Sequence, residues 1–350
     1  MRRFNALRRT HINTPEATPD TRLAALKDWI GNIDAVVGCE PTPASVDASF
    51  RRYFRVQKGA TSFIVMDAPP EQEDCLPFLR VAGYLEAMQL NAPRIIEANL
   101  DDGFLLLSDL GKRLYLDELQ QNPGDAASMY TDAIAALLTM QHRGTAYQSS
   151  LPPYDDDLLR FEMSLFHDWL CEKHLGITFS ESDEQHWQQC CDLLVTSALD
   201  QKRVFVHRDY HSRNLMVTES ENPGVLDFQD AVEGPLTYDL ASLLKDCYIK
   251  WPADKIRERV KYFYDRLPRD HELDEAAFVS RFDLMGVQRH LKAAGIFARL
   301  LHRDGKSGYL KDVPRTLTYI VDIASKYEQL GFLEKLITTR VLPPLKEAGQ

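Results

Sequence analysis

The chain has 350 residues, with 44% hydrophobic and 27% charged side chains, which excludes a disordered or collagen-like polymer and gives enough material for two lobes. Forty-one Lys and Arg against 52 Asp and Glu leave a formal charge of −11, a poor match to sequence-blind nucleic-acid binding. No apolar run approaches the ~18–20 residues a membrane span needs, and Arg2, Arg3, Arg8 and Arg9 have no apolar core behind them as a secretory signal would. None of the six cysteines forms a C-x-x-C pair. These features predict an acidic, cytoplasmic globular protein with no nucleic-acid, membrane or protein partner implied.

In chain order, Leu23, Leu26 and Ile30, with Trp29 beside them, have helical spacing. The segment Glu40 to Pro43 breaks the pattern. Tyr53 to Val56 and Phe63 to Met66 read as a hairpin joined through Lys58-Gly59-Ala60-Thr61. A helix follows, with Phe78, Val81, Ala82, Leu85 and Met88 on one face. Ile95-Ile96 and Phe104 to Leu107 are two more strands, separated by a turn at Asp101-Asp102-Gly103. Residues 113–200 carry three helical patterns: Tyr130 with Ile134, Leu137 and Leu138; Phe161 with Leu165, Phe166 and Trp169; and Trp187 with Cys190, Cys191 and Leu194. A short β-rich interval at 203–228 precedes helices from about 237 to 336. The predicted fold is α+β and bilobal, with a small β-rich lobe over 1–110 and a larger, mainly helical lobe over 111–350.

The chemistry concentrates in the β-rich interval. It reads Val204-Phe-Val-His207-Arg208-Asp209-Tyr-His-Ser-Arg-Asn214-Leu-Met-Val217, then Val225-Leu226-Asp227-Phe228. Apolar strands flank each polar cluster, so the polar residues fall at strand ends, where a scaffold can converge them. The pattern H-R-D-x-x-x-x-N is the catalytic loop of protein kinases and their relatives. Phosphoryl transfer needs a carboxylate to orient the attacking hydroxyl and accept its proton, and hard oxygen ligands for Mg²⁺. Asp209 is the expected base, and Asn214 and Asp227 the expected metal ligands. His207 is expected as a buried support and His211 as a surface position.

With these motifs the chain resembles the aminoglycoside phosphotransferase family, the small-molecule branch of the protein-kinase-like fold. Phe104 to Leu107 running into Ser108-Asp109-Leu110-Gly111 looks like that family's hinge. The resemblance implies ATP and Mg²⁺ as cofactors, with the backbone of Ser108, Asp109 and Leu110 reading the adenine edge. It also implies that Asp239, in Gly234-Pro-Leu-Thr-Tyr-Asp239, braces the catalytic loop. Further stretches, Ala48 to Val56, Val65 to Pro70, Leu151 to Asp155 and Gly308-Tyr-Leu310, resemble the bacterial anomeric amino-sugar kinases of peptidoglycan recycling. That likeness implies phosphorylation of the anomeric hydroxyl of N-acetylmuramic acid and N-acetylglucosamine to the α-1-phosphate. An aminoglycoside or amino-alcohol kinase, and an ATP-binding module of pseudokinase type, are the alternatives.

Two departures stand out. The place of the Gly-rich loop is taken by residues 47–52, which contain no Gly; Ser49 and nearby backbone N–H groups are the expected phosphate contacts. The third strand reads Ile64-Val65-Met66-Asp67 and lacks the phosphate-binding Lys. Arg52 or Arg55, from the run Arg51, Arg52 and Arg55, is expected to supply that charge through a guanidinium fork. Glu86 is a weak candidate for the helix Glu that usually partners the Lys. On the acceptor side, Gln288, Arg289 and Lys292 put donors on one predicted helix, and Arg289 and Lys292 suit a lactyl carboxylate. Tyr154 through Asp157, Tyr154 and Asp155 foremost, suit sugar hydroxyls or equally an acidic helix N-terminus, and Trp251 suits a stacking ring or a core position.

Overall fold

The computed structural model describes residues 20–46, 50–268 and 273–347. Helix α1 (Thr21–Ile30) opens it, capped by the Asp20 carboxylate accepting from Leu23 N–H at 2.9 Å. Strands β1 (Thr42–Val46), β2 (Arg52–Lys58) and β3 (Thr61–Asp67) lead into α2 (Leu76–Ala87), and β4 (Ile95–Asn99) and β5 (Phe104–Ser108) complete a five-stranded antiparallel sheet of order β1-β2-β3-β5-β4. Alternation along the strands divides their side chains between two cores. Phe54, Val56, Val65, Phe104 and Leu106 pack under Leu26 and Ile30 of α1. Met66, Leu105 and Leu107 face α2 and the main core of the molecule. Both faces of β5 are therefore buried, and its sequence is a continuous apolar run. Gly103, before β5, has φ +73°, and a Cβ there would lie 1.9 Å from the Ala68 carbonyl oxygen. The turn read at Asp101 to Gly103 needs glycine at that point.

The sheet ends at Ser108 and the helical lobe begins with α3 (Tyr115–Gln121) and α4 (Ala126–Arg143). Helix α5 (Asp156–Leu165) widens into a π-helical stretch over Phe166–His174, followed by α6 (Glu181–Leu199). Phe161, read as a core position, is 56% exposed; Leu159, Glu162, Met163 and Leu165 are the buried side chains of α5. The widened turns lie where α9 approaches most closely: a Cβ on Gly295 would come within 2.2 Å of the Leu165 carbonyl carbon. Two small antiparallel pairs then carry the motif loops: β6 (Arg203–Val206) with β9 (Val232–Pro235), and, between them in sequence, β7 (Leu215–Met216) with β8 (Gly224–Val225). Helices α7 (Tyr238–Leu244), α8 (Ala253–Tyr264), α9 (Glu275–Asp304), α10 (Val313–Ala324), α11 (Gly331–Leu336) and α12 (Leu342–Glu347) complete the chain. Helix α9 is the spine of this lobe, packed by α5, α7 and α10 and buried on nearly all sides from Leu284 to Leu300. No helix among the described residues is long and apolar enough to cross a membrane.

Candidate active site

Between the sheet and the helical lobe lies a cavity of about 590 Å³. Its walls include Tyr53, Arg55 and Ile64 from the sheet, Asp109 and Leu110 after β5, and Asn214 and Asp227 below. A smaller recess of about 90 Å³ opens from it, lined by Asp209, Tyr238, Cys247, Arg289 and Lys292. Asp209, His211, Tyr248, Ile296 and Phe297 line both, so the two form one continuous cleft.

The loop between β6 and β7 is held from beneath by two buried carboxylates. Asp239, on α7, accepts the backbone N–H groups of His207 and Arg208 at 2.7 and 3.0 Å. Asp246 accepts the Ser212 N–H at 2.9 Å and its hydroxyl at 2.5 Å. Burial drives the Asp239 carboxyl up to about 7 against the pull of those two backbone donors. His207 is fully buried; desolvation lowers it to about 4, so its ring is neutral at pH 7, and its Nδ1 accepts the Asp209 N–H at 3.3 Å. Arg208 and Asp227 both take left-handed backbone conformations, with φ of 75° and 60°. A non-Gly residue pays about 1–2 kcal/mol for that geometry, which persists here because the surrounding hydrogen bonds fix the loops.

Asp209 is brought to the point where recess and cavity meet. Burial alone would raise its carboxyl, but Lys292, His211, Arg208 and Arg289 outweigh burial and hold it well below the usual carboxylate range. Asn214 donates through Nδ2 to the Asp209 carbonyl oxygen at 3.0 Å and to Asp227 Oδ2 at 3.3 Å. Gln229 Nε2 donates to Asp227 Oδ1 at 2.8 Å. The loop thus presents the carboxylate of Asp209 and the Asn214–Asp227 pair to the same cleft. An amide oxygen and a carboxylate are the donor set a hard divalent cation takes.

The acceptor-side residues separate into two groups. Arg289 and Lys292 line the recess, both buried. Lys292 Nζ lies 3.1 Å from Glu162 and donates to the Tyr238 hydroxyl at 3.1 Å. Arg289 donates from Nη1 to the Cys247 sulfur at 3.5 Å, and its buried Nε has no hydrogen-bond partner. Gln288 and Tyr154 stand behind this wall. Gln288 Nε2 donates to the Tyr154 hydroxyl and to Glu162 at 3.1 and 3.2 Å, and the Tyr154 hydroxyl donates to Glu162, which also pairs with Arg208. They hold Glu162 rather than face the cleft, because Gln288 points from α9 toward α5. Asp155 is also away from the cleft: it caps α5, accepting from Leu158 N–H at 3.0 Å. Trp251 donates to the Tyr130 hydroxyl at 2.8 Å and belongs to the core. His211, read as a surface residue, is buried on the recess wall.

On the nucleotide side the expected arginines are placed otherwise than the sequence suggested. Arg52 lies on the α1 face of the sheet, away from the cleft, and pairs with Asp20 and with Asp67 at 2.5 Å. Asp67 shares that face and also accepts from Arg22, so its charge is matched and turned away from the cavity. Arg55 does line the cavity, but its guanidinium grips Asp109 at 2.5 and 3.0 Å and the Gly111 carbonyl at 2.7 Å. Glu86 is exposed on α2. Ser108 N–H donates to the Arg94 carbonyl, and its hydroxyl accepts from the Arg94 N–H. Ser49 lies outside the described residues.

Residues 40–278 match the model of the phosphotransferase enzyme family. The chain belongs to that family. It is 48% identical over 314 residues to the N-acetylmuramate/N-acetylglucosamine kinase of Pseudomonas aeruginosa, covering 88% of this chain and 90% of the relative. The kinase of the same name from Pseudomonas putida is 46% identical over 301 residues, covering 85% and 87%. The ADP-bound structure of aminoglycoside phosphotransferase APH(2'')-Ib aligns with a TM-score of 0.56 at 14% identity, over 85% of this chain and 97% of that one, a likeness of fold. The chain is therefore a phosphotransferase with the protein-kinase-like fold. The segments singled out in the sequence, Ser108 to Leu110, Asp209 to Asn214 and Asp227, all contribute to the wall of one cavity. Cys247, Tyr238 and Tyr248 were not singled out, since nothing in their local sequence distinguishes them from core residues.

Proposed function

We propose that this phosphotransferase uses ATP and Mg²⁺ to phosphorylate the anomeric hydroxyl of N-acetylmuramic acid and N-acetylglucosamine, giving the α-1-phosphate. The observation that carries the reading is an ionised, half-buried Asp209 in a recess whose other charged lining groups are the cations Arg289 and Lys292. The names of the two Pseudomonas relatives point to the same sugars. Six free cysteines and the use of ATP go with a cytoplasmic setting.

Asp209 accepts a hydrogen bond from the sugar hydroxyl and aims its oxygen along the line of attack. The proton passes to the carboxylate as the new P–O bond forms and the bond from the γ-phosphorus to the bridging oxygen breaks, ADP leaving with that electron pair. A carboxylate held so far below its usual range is a weak base, so its contribution is orientation first and proton acceptance late. Asn214 and Asp227 are the residues that fit Mg²⁺. When bound, Mg²⁺ neutralises phosphate charge. Asp109 and Leu110 offer backbone to the adenine edge, since both polar groups of Ser108 that face Arg94 are already bonded to it. Arg289 meets the lactyl carboxylate of N-acetylmuramic acid, because a buried guanidinium whose Nε lacks a partner is costly until an anion arrives. The same cations disfavour polycationic aminoglycosides and quaternary amino alcohols.

Incubation with Mg-ATP and each of N-acetylmuramic acid, N-acetylglucosamine, kanamycin and choline, read by phosphorus NMR, tests the assignment. A glycosyl 1-phosphate from the two amino sugars is the expected product. Phosphate appearing only on kanamycin or choline would overturn it.

A further inference from the structure

A triphosphate in this cleft needs a fixed cation, and the residue β3 contributes to the cavity wall, Ile64, is apolar. Among the described residues, the Arg and Lys side chains that line the cavity are Arg55, Lys112 and Arg213. Arg55 is matched by Asp109. Lys112 is exposed beyond Gly111, beside the Ser108 to Leu110 segment. Arg213 is half-buried in the loop that runs from Asp209 to Asn214.

Both chain neighbours of Arg213 are pinned. Ser212 donates its N–H and its hydroxyl to Asp246, and the Asn214 N–H donates to the His211 carbonyl at 2.9 Å, closing the turn. The guanidinium carbon stands 4.7 Å from the centre of the Tyr248 ring and 5.3 Å from that of Tyr309, within range of an attractive cation–π contact. Asp246 fixes this wall as well, accepting the Tyr248 N–H at 2.8 Å. Tyr309, from the Gly308-Tyr-Leu310 segment, stacks on Phe297 with ring centroids 5.8 Å apart. The rings hold the guanidinium without neutralising it. The polar groups that act on its charge are the two phenols, and no carboxylate among the described residues pairs with it. A cation drawn partly out of water with no counter-ion gains by binding an anion. Asp209, Tyr248 and Phe297 line both recess and cavity, whereas Arg213 lines the cavity alone. It therefore stands on the cavity side of the junction, where a phosphoryl group passing to an acceptor beside Asp209 has to lie. Arg289 and Lys292 line the recess instead.

We propose that Arg213, held between the Tyr248 and Tyr309 rings, binds the terminal phosphate oxygens of the nucleotide, in place of the lysine that β3 lacks. The charge moves from the sheet to the catalytic loop, one residue before Asn214. The inference rests on the nucleotide-dependent reading above. Arg213 is a binding group and Tyr309 a positioning residue.

Calorimetric titration of the full chain with the Mg-bound, non-hydrolysable imido analogue of ATP and, separately, with Mg-ADP tests this. Arg213→Ala is expected to weaken the analogue about ten- to hundredfold, the range of a lost charge-assisted hydrogen bond, with ADP affinity nearly unchanged. Arg213→Lys, which keeps the charge but loses the fork, is expected to weaken it about three- to tenfold and serves if the alanine variant does not fold. Tyr309→Leu should weaken the analogue in the same sense and spare ADP, a difference that general loosening of the fold would not produce. Wild-type affinity for the analogue in the folded Arg213 variants, or equal losses for the analogue and ADP, would overturn the assignment. So would weaker binding of N-acetylmuramic acid with the analogue unaffected, which would place Arg213 on the sugar. Wild-type protein binding adenosine as tightly as the analogue would overturn the phosphate-donor reading itself, a failure visible before any variant is made.

Discussion

Arg289 and Lys292 lie one helical turn apart on α9, yet their surroundings differ. Lys292 has Glu162 and Tyr238 as partners, whereas Arg289 contacts a cysteine sulfur and keeps an unpartnered Nε. A substrate carboxylate has most to gain at Arg289. Arg289→Met is therefore expected to raise the KM for N-acetylmuramic acid by about ten- to hundredfold, the worth of a charge-assisted pair, and that for N-acetylglucosamine by far less. Steady-state kinetics with both sugars checks this, and equal effects would remove Arg289 from carboxylate recognition. At this scale the sequence was legible where a motif fixes spacing: Asp209, Asn214 and Asp227 converge as their order implies. It was misleading where parity decides. Arg51, Arg52 and Arg55 look interchangeable in a row, but alternation sends Arg52 to the far face, and only the pairing partners Asp67 and Asp109 reveal where each charge is matched.

Helix α5 shows what an element hides. The residues that lead into it, Tyr154 and Asp155, look like a polar cluster suited to a sugar. In the fold Asp155 is an N-cap and Tyr154 a buried partner of Glu162. Asp155→Ala is expected to cost about 1 kcal/mol of stability, as loss of a cap does, with kcat/KM unchanged; denaturant unfolding and kinetics on the same sample check both. A fall in kcat/KM without loss of stability would return Asp155 to the site. Strands and helices themselves were readable from period, since β5, α2 and α4 are apolar at the spacings their packing uses. The π-helical stretch after α5 was not, because the close approach of Gly295 that accompanies it comes from α9, far along the chain. The all-round burial of α9 around Gln288 to Lys292 was likewise hidden, since polar side chains at those spacings carry no apolar stripe to mark a buried face.

Across the whole molecule, the two lobes were legible from the change of period near Ser108, and the cleft between them from the motif at its floor. What the sequence could not give is the electrostatic interior that their packing creates. Burial lowers His207 to about 4 and His290 to about 3 from an ordinary 6.5. The folded protein then binds fewer protons than the unfolded chain between those values and 6.5, so stability is lost as pH falls through that window. Asp239, raised by burial from 3.8 to about 7, acts oppositely, favouring the fold below 4 and losing that contribution as pH rises through 7. Two histidines outweigh one carboxylate below 6.5. The Tm is expected to rise from about pH 4.5 to 6.5 and then level off, with a shallower slope in His290→Gln and a steeper one in Asp239→Asn. A Tm that falls over that range would contradict the balance.

The central claim is that one half-buried carboxylate, Asp209, kept ionised by the cations around it, directs the acceptor hydroxyl at the phosphate. Single-turnover transfer from Mg-ATP to N-acetylmuramic acid by Asp209→Asn, with ATP affinity measured on the same protein, tests it most directly. The account predicts a loss of about 10²–10⁴ in rate, the usual contribution of a positioned general base, with ATP affinity nearly unchanged. Transfer at the wild-type rate by the folded variant would contradict it.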